Sequence, residues 1–141
     1  MNSKVLVGVQ FSMIFLIIRD GTFPATIFTI VILAGGLLLG SAAILTMRFD
    51  NLRIFPEPKK DIRLVTTGPY RILRHPMYTS VLLITASFVA EVPTLLLCAF
   101  WLILLSALMG KVQIEEKLLP QHLPDYTEYQ KRTWKLIPFI F

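Results

Sequence analysis

The chain has 141 residues, of which 55% are hydrophobic and 16% charged, and a net charge of +5. Together with a mean hydropathy of +0.66, that balance excludes an ordinary soluble globule and makes lipid the expected solvent. The single cysteine, Cys98, lies in an apolar run and can form no internal disulfide.

The first apolar run, Val5 to Ile18, holds no charge between Lys4 and Arg19. It predicts a short retained helix whose terminal cations snorkel to either side. Thr22 to Met47 is also free of charge and, at about 1.5 Å per residue, exceeds a hydrocarbon core of roughly 30 Å. Within it Gly36 and Gly40 make a small-xxx-small pattern that lets another helix approach closely. A polar segment follows, in which Pro56 and Pro58 favour an extended path and Gly68-Pro69 a turn. From Pro76 to Gly110 the only charge is Glu91, and with Val92 and Pro93 after it the run divides into a helical hairpin. The fourth helix runs on past Lys111 into a tail expected to break at Pro120 and Pro124.

The expected fold is therefore all-α, a single integral membrane domain over residues 1–141 with about four transmembrane helices. Arg48, Arg53, Lys59, Lys60, Arg63, Arg71 and Arg74 precede the third helix, and the tail carries Lys111, Lys117, Lys131, Arg132 and Lys135. The turns near Asp20 and Glu91 hold only Arg19, so both basic segments, and with them both termini, are predicted to be cytoplasmic. The positive charge is read as topology and attraction to anionic membrane lipids, with no nucleic-acid partner.

Polar chemistry concentrates in two places. In "GPYRILRHPMYTS", His75 precedes a Pro suited to a first helical turn, and Tyr78 follows three residues later. Taken singly, Arg71 and Arg74 read as headgroup anchors, Tyr70 and Tyr78 as an aromatic belt, and His75 as a helix terminus. Their compression into one window beside a Gly-Pro turn is what single roles leave unexplained. In "KVQIEEKLL", Lys111 and Glu115 share a helical face, with Glu116 turned about 100° away. Two carboxylates leaving the membrane opposite a His and Arg cluster can line a polar pocket. No His lies three or four residues from another metal ligand among His75, His122, Glu115 and Glu116, so no metal is assigned.

The segments "RLVTTGPYRILRHPMYTS", "EEKLL" and "YTEYQKRTWKLIPF" together resemble the isoprenylcysteine carboxyl methyltransferase family, whose wider relatives include phospholipid N-methyltransferases. The resemblance covers roughly residues 60 to 141. It implies S-adenosylmethionine as cofactor, held without the glycine-rich loop of a Rossmann fold. Position by position it implies cofactor contacts at Leu64, Val65, Tyr70, His75, Pro76, Met77, Tyr78 and Glu115. Lys111 falls where the family has an Arg near the substrate carboxylate. Three departures stand out: "DIRLV" lacks the His that often precedes the Leu-Val pair, Lys111 replaces that Arg, and "LPQHLPDY" lacks a Gly before the tyrosines.

The implied activity is methyl transfer to a lipophilic or small membrane-partitioning acceptor, such as an isoprenylcysteine-like carboxylate. Alternatives are phospholipid N-methylation, thiol S-methylation, or a non-catalytic membrane subunit that binds lipid or a partner. A carboxylate or thiolate arrives ionised, whereas an amine needs a general base, for which His75 and Glu116 are the candidates.

Overall fold

The computed structural model describes residues 2–47 and 63–139. The segment with Pro56 and Pro58 and the cations Arg48, Arg53, Lys59 and Lys60 lies outside the described residues. The described elements are helices α1 (Ser3–Asp20), α2 (Ile27–Met47), α3 (Pro76–Glu91), α4 (Leu95–His122) and α5 (Tyr126–Arg132), with a short 3-10 turn at Gly68–Arg71. Among the described residues no strand forms, and one isolated parallel bridge joins Leu73 to Trp134.

Local chemistry accounts for the helix ends. The Asn2 side chain accepts from the Lys4 amide at 3.1 Å and opens α1, and Gly21 closes it. Thr94 caps α4 by accepting from Leu97 N at 3.2 Å. Between α3 and α4 the chain breaks at Val92 and Pro93, as the sequence predicts. Pro120 does not end α4. The helix runs through it to His122 and stops before Pro124, because a proline so near the C-terminus costs only the Glu116 carbonyl its intrahelical donor.

Among the described residues two helices are long and apolar enough to cross a membrane, Ile27–Met47 and Leu95–His122, where four were expected. The eighteen residues of α1 include Lys4, Arg19 and Asp20, and α3 has sixteen residues, so neither meets the same measure of length and hydropathy. In the apolar window of α2 only 17% of residues are buried against protein, and in that of α4 33%. The core helix of a soluble protein would be mostly covered. Instead Ile27, Leu38, Leu45 and Leu95 stand more than 70% exposed, as lipid-facing side chains do.

α1 packs along α4, and α2 along α3. The α2–α3 contact depends on glycine: a Cβ on Gly36 would lie 2.8 Å from Ile84 Cγ1, and the Gly36 carbonyl accepts from Ser80 Oγ at 2.8 Å. Ile17, Phe88, Leu104 and Leu108 fill the centre of the bundle. Gly68 has φ +56°, and a Cβ there would meet Thr46 Oγ1 at 2.6 Å, so the turn after residue 63 lies close against the end of α2. The last turn of α2, the first of α3 and the polar half of α4 thereby meet at one end of the molecule.

Candidate functional site

At that end His75 immediately precedes α3, with its side chain 5% exposed. Its Nδ1 lies 3.1 Å from Glu115 Oε2 and its Nε2 3.0 Å from Glu116 Oε1. A carboxylate only accepts, so both ring nitrogens donate and the imidazole carries both protons. Burial opposes that charge, but the two carboxylates outweigh it and hold the His75 pKa above its ordinary value.

Adjacent residues on α4 thus reach the two nitrogens of one ring, which is held between them. Glu116 also accepts from Arg74 Nε at 2.8 Å, Tyr126 OH at 2.8 Å and Gln130 Nε2 at 2.9 Å. Arg74 continues into the tail, donating to the carbonyls of Gln130, at 3.0 Å, and Thr133. With its side chain 7% exposed, it is no headgroup anchor. Burial and the Glu116 charge push the Tyr126 phenol up, while burial pushes Tyr129 up to about 12, so both remain protonated donors. Tyr129 uses its proton on the Tyr70 carbonyl at 2.6 Å.

Glu115 is engaged differently. It takes His75 Nδ1 on one oxygen and the Tyr78 hydroxyl on the other, and the His75 and Tyr78 rings lie nearly parallel, with centroids 5.7 Å apart. A carboxylate offers about four acceptor sites, so Glu115 has capacity for further donors. Tyr70 is buried beside this group, with its hydroxyl 3.7 Å from Met47 Sδ. Leu64, Val65 and Met77 are half-buried, and Pro76 is fully buried. Tyr70, His75, Pro76, Tyr78 and Glu115 thus come together, with Leu64 and Val65 on the segment leading in.

One turn deeper on α4, Lys111 is 1% exposed, so it is no surface partner of Glu115. Its Nζ donates to Gln10 Oε1 at 2.8 Å and sits 4.9 Å from the centre of the Tyr78 ring. Gln10, Tyr126 and Gln130 escape a reading of the motifs. Gln10 was visible as one of two polar residues, with Ser12, in the first apolar run, and Tyr126 as the start of a Tyr-x-x-Tyr pair. His122 stands apart, its Nδ1 3.0 Å from the Leu118 carbonyl. Among the described residues no group of three or more His, Cys, Asp and Glu side chains is placed to hold a metal ion.

Residues 24–125 match the model of the phospholipid methyltransferase family, which lies within the isoprenylcysteine carboxyl methyltransferase-like superfamily. The chain belongs to the phospholipid methyltransferase family. The matched region includes α2 to α4 and every member of the His75 cluster up to Glu116, and ends just before Tyr126. Two relatives are similar over 87 residues, 60% of this chain. They are the nickel-cobalt-cadmium resistance protein NccN of Alcaligenes xylosoxydans xylosoxydans, 32% identical, and the cobalt-zinc-cadmium resistance protein CzcN of Cupriavidus metallidurans, 33% identical. The match covers 40% of the length of each. Membership in this family and two sparsely covered apolar helices mark a membrane protein of a methyltransferase family.

Proposed function

We propose that this phospholipid methyltransferase family member is an S-adenosylmethionine-dependent methyltransferase acting on a lipophilic, membrane-partitioning acceptor. The observation that carries the reading is the cationic His75 held between Glu115 and Glu116 where α3 begins, with Tyr70 and Tyr78 beside it. The donor set fits the cofactor. The first-turn amide of Met77 and the imidazolium suit its carboxylate, the phenol rings suit adenine, and the spare acceptor capacity of Glu115 suits its ammonium or ribose hydroxyls. Leu64 and Val65 line the approach. When bound, S-adenosylmethionine supplies an electrophilic methyl group on a sulfonium.

The residues of the chain position and exclude. Glu116 orients Arg74 and His75, Glu115 orients Tyr78, and the tail carbonyls of Trp134 and Lys135 accept from the Arg74 and His75 backbone amides. With both its nitrogens donating, His75 serves as a fixed positive charge. Glu116, with its donors in place, serves as a positioning residue, so the favoured acceptor is one that arrives ionised and needs no base. Lys111 receives that anion, which favours O- or S-methylation over methylation of an amine. The names of the metal-resistance relatives identify no acceptor for this chain.

The test is incubation of the protein in lipid bilayers with methyl-labelled S-adenosylmethionine and membrane lipid extracts. A labelled acidic lipid or thiol is the expected product, and a labelled amine would replace this reading with phospholipid N-methylation. Protein that binds the cofactor yet labels nothing points to a non-catalytic subunit. We further propose that the site faces the cytoplasm with both termini. A cysteine placed at Lys59 is then labelled from the cytoplasmic side and one at Thr94 from outside, and the reverse pattern contradicts this.

A further inference from the structure

The tail after α5 is tied to the start of α3 through its backbone. Trp134 N donates to the Ile72 carbonyl at 3.0 Å, and the carbonyls of Trp134 and Lys135 accept from Arg74 N at 2.7 Å and His75 N at 3.1 Å. Leu136, 3% exposed, accepts on its carbonyl from Thr79 Oγ1 at 2.8 Å. These bonds set the tail at the level of the first turn of α3, beside the turn at Gly68 that touches Thr46 where the apolar span of α2 ends. With Leu136 turned inward, its neighbours face outward. Ile137 is 50% and Phe139 84% exposed, and the Phe139 ring lies against Trp134 with centroids 4.7 Å apart. Ile72, whose carbonyl holds the Trp134 amide, is 49% exposed. In water these side chains would form an uncovered apolar patch.

We infer that Ile72, Trp134, Ile137 and Phe139 seat the tail in the membrane interface at this end of the bundle, with Arg71 and Lys135 against anionic lipid headgroups. The inference goes beyond the methyltransferase reading and stands without it. Two features select lipid as the occupant. The patch lies at the depth where the apolar span of α2 ends, and there aromatic rings with an apolar body and a polar edge are at home. Cations also flank it in the chain, since Arg71 precedes Ile72 and Lys135 follows Trp134. An apolar face beside basic residues is the pattern of a segment that lies in the interface plane of an anionic membrane. Glu128 offsets part of the charge of α5 by pairing with Lys131 at 3.0 Å and Arg132 at 3.5 Å, so Arg71 is the cation on which the headgroup preference is best tested.

The chain holds two tryptophans, so Trp101→Phe leaves Trp134 as the sole indole emitter. The test places that full-length variant in vesicles of phosphatidylcholine and phosphatidylglycerol whose acyl chains carry bromine either near the glycerol or at the chain end. Trp134 is expected to be quenched about twofold or more as strongly by the shallow bromine as by the deep one, and to be sheltered from aqueous iodide. Brominated phosphatidylglycerol is expected to quench it more than brominated phosphatidylcholine at equal fraction. Arg71→Gln should lower that preference about two- to fivefold, and added salt should lower it as well. Phe139→Asp is expected to move Trp134 away from the bromine and toward iodide. Quenching by iodide and by neither brominated lipid puts the tail in water and overturns the inference. So does shelter from both, which would assign the patch to a protein partner or a second copy of this chain, and so does quenching that Phe139→Asp leaves unaltered. Equal quenching by the two headgroup classes, unchanged in Arg71→Gln, overturns the anionic assignment.

Discussion

Each end of the bundle has a carboxylate that gathers several donors, Glu91 at one and Glu116 at the other, and the two gather different partners. At the turn between α3 and α4, Glu91 accepts from the amides of Ala25 at 3.0 Å and Thr26 at 3.2 Å and from the hydroxyls of Thr26 and Thr29. All are neutral groups around the start of α2, where Thr26 Oγ1 also accepts from Thr29 N at 3.4 Å, so Glu91 adds to that cap and favours the helix dipole. At the other end Glu116 gathers Arg74, His75, Tyr126 and Gln130, of which two are cations. A cap needs no buried cations. Holding Arg74 and His75 out of water takes several kcal/mol per ion unless each is paired, which marks the Glu116 end as built to present charge and the Glu91 end as built to hold a turn.

If that contrast is right, Glu116→Ala has the largest effect of any single change here. It leaves Arg74 and His75 buried without their shared counter-charge and is expected to cost about 3 to 5 kcal/mol in unfolding measured in detergent, with loss of cofactor binding. Glu116→Gln, which keeps shape and removes charge, should fall between this and wild type. Next comes Lys111→Ala, expected to lower catalytic efficiency with the identified acceptor by about ten- to a hundredfold while nearly preserving cofactor binding. Lys111→Arg should retain activity, since a guanidinium still satisfies a carboxylate. Wild-type efficiency in Lys111→Ala would reduce that residue to a packing role.

The pH dependence of the two ends should also differ in sign. His75 is held above its ordinary pKa, so its contribution is complete below that ordinary value and is lost as pH rises through the raised one. Cofactor binding is expected to weaken on that alkaline limb, and His75→Gln should abolish the limb. Glu91 is lowered from 4.5 to about 2, chiefly by the Thr29 hydroxyl and then by the Ala25 and Thr26 amides. Its contribution is therefore present above 4.5 and is lost as pH falls toward about 2. Glu91→Gln should produce the smallest change, a slight fall in Tm with cofactor affinity unaltered. A large loss of cofactor affinity there would erase the distinction between the ends.

Much of this was legible in the sequence because its signals are local. The Glu91-Val92-Pro93 break, the Gly36 and Gly40 spacing and the proline after His75 each fix backbone geometry within a few residues. The segments around His75 and Glu115 were recognisable as parts of one family's pattern. Fewer of the described helices reach spanning length and hydropathy than expected, because a charge-free run measures hydropathy, whereas the structured helices are bounded by caps. α3 stops at Glu91 after sixteen residues, and α1 takes in Lys4, Arg19 and Asp20. Pro120 was read as a break because how far α4 extends past it is not local to the proline, which this near the helix end costs only the Glu116 carbonyl its donor. The partners of Glu116, and Gln10 itself, were the hardest to read. The hub depends on residues 10 to 42 positions away, and the Gln10–Lys111 contact spans 101 positions, so neither leaves a spacing pattern.

The central claim is that the charged end of the bundle holds S-adenosylmethionine through Glu115 and His75. Calorimetric titration of the purified protein in lipid bilayers with that cofactor tests it most directly, with Glu115→Ala and His75→Ala titrated beside the wild type. Saturable binding in the wild type, weakened about tenfold or more in both variants while each remains inserted, is the predicted result. Unchanged affinity in both variants, or no binding to the wild type, would contradict it.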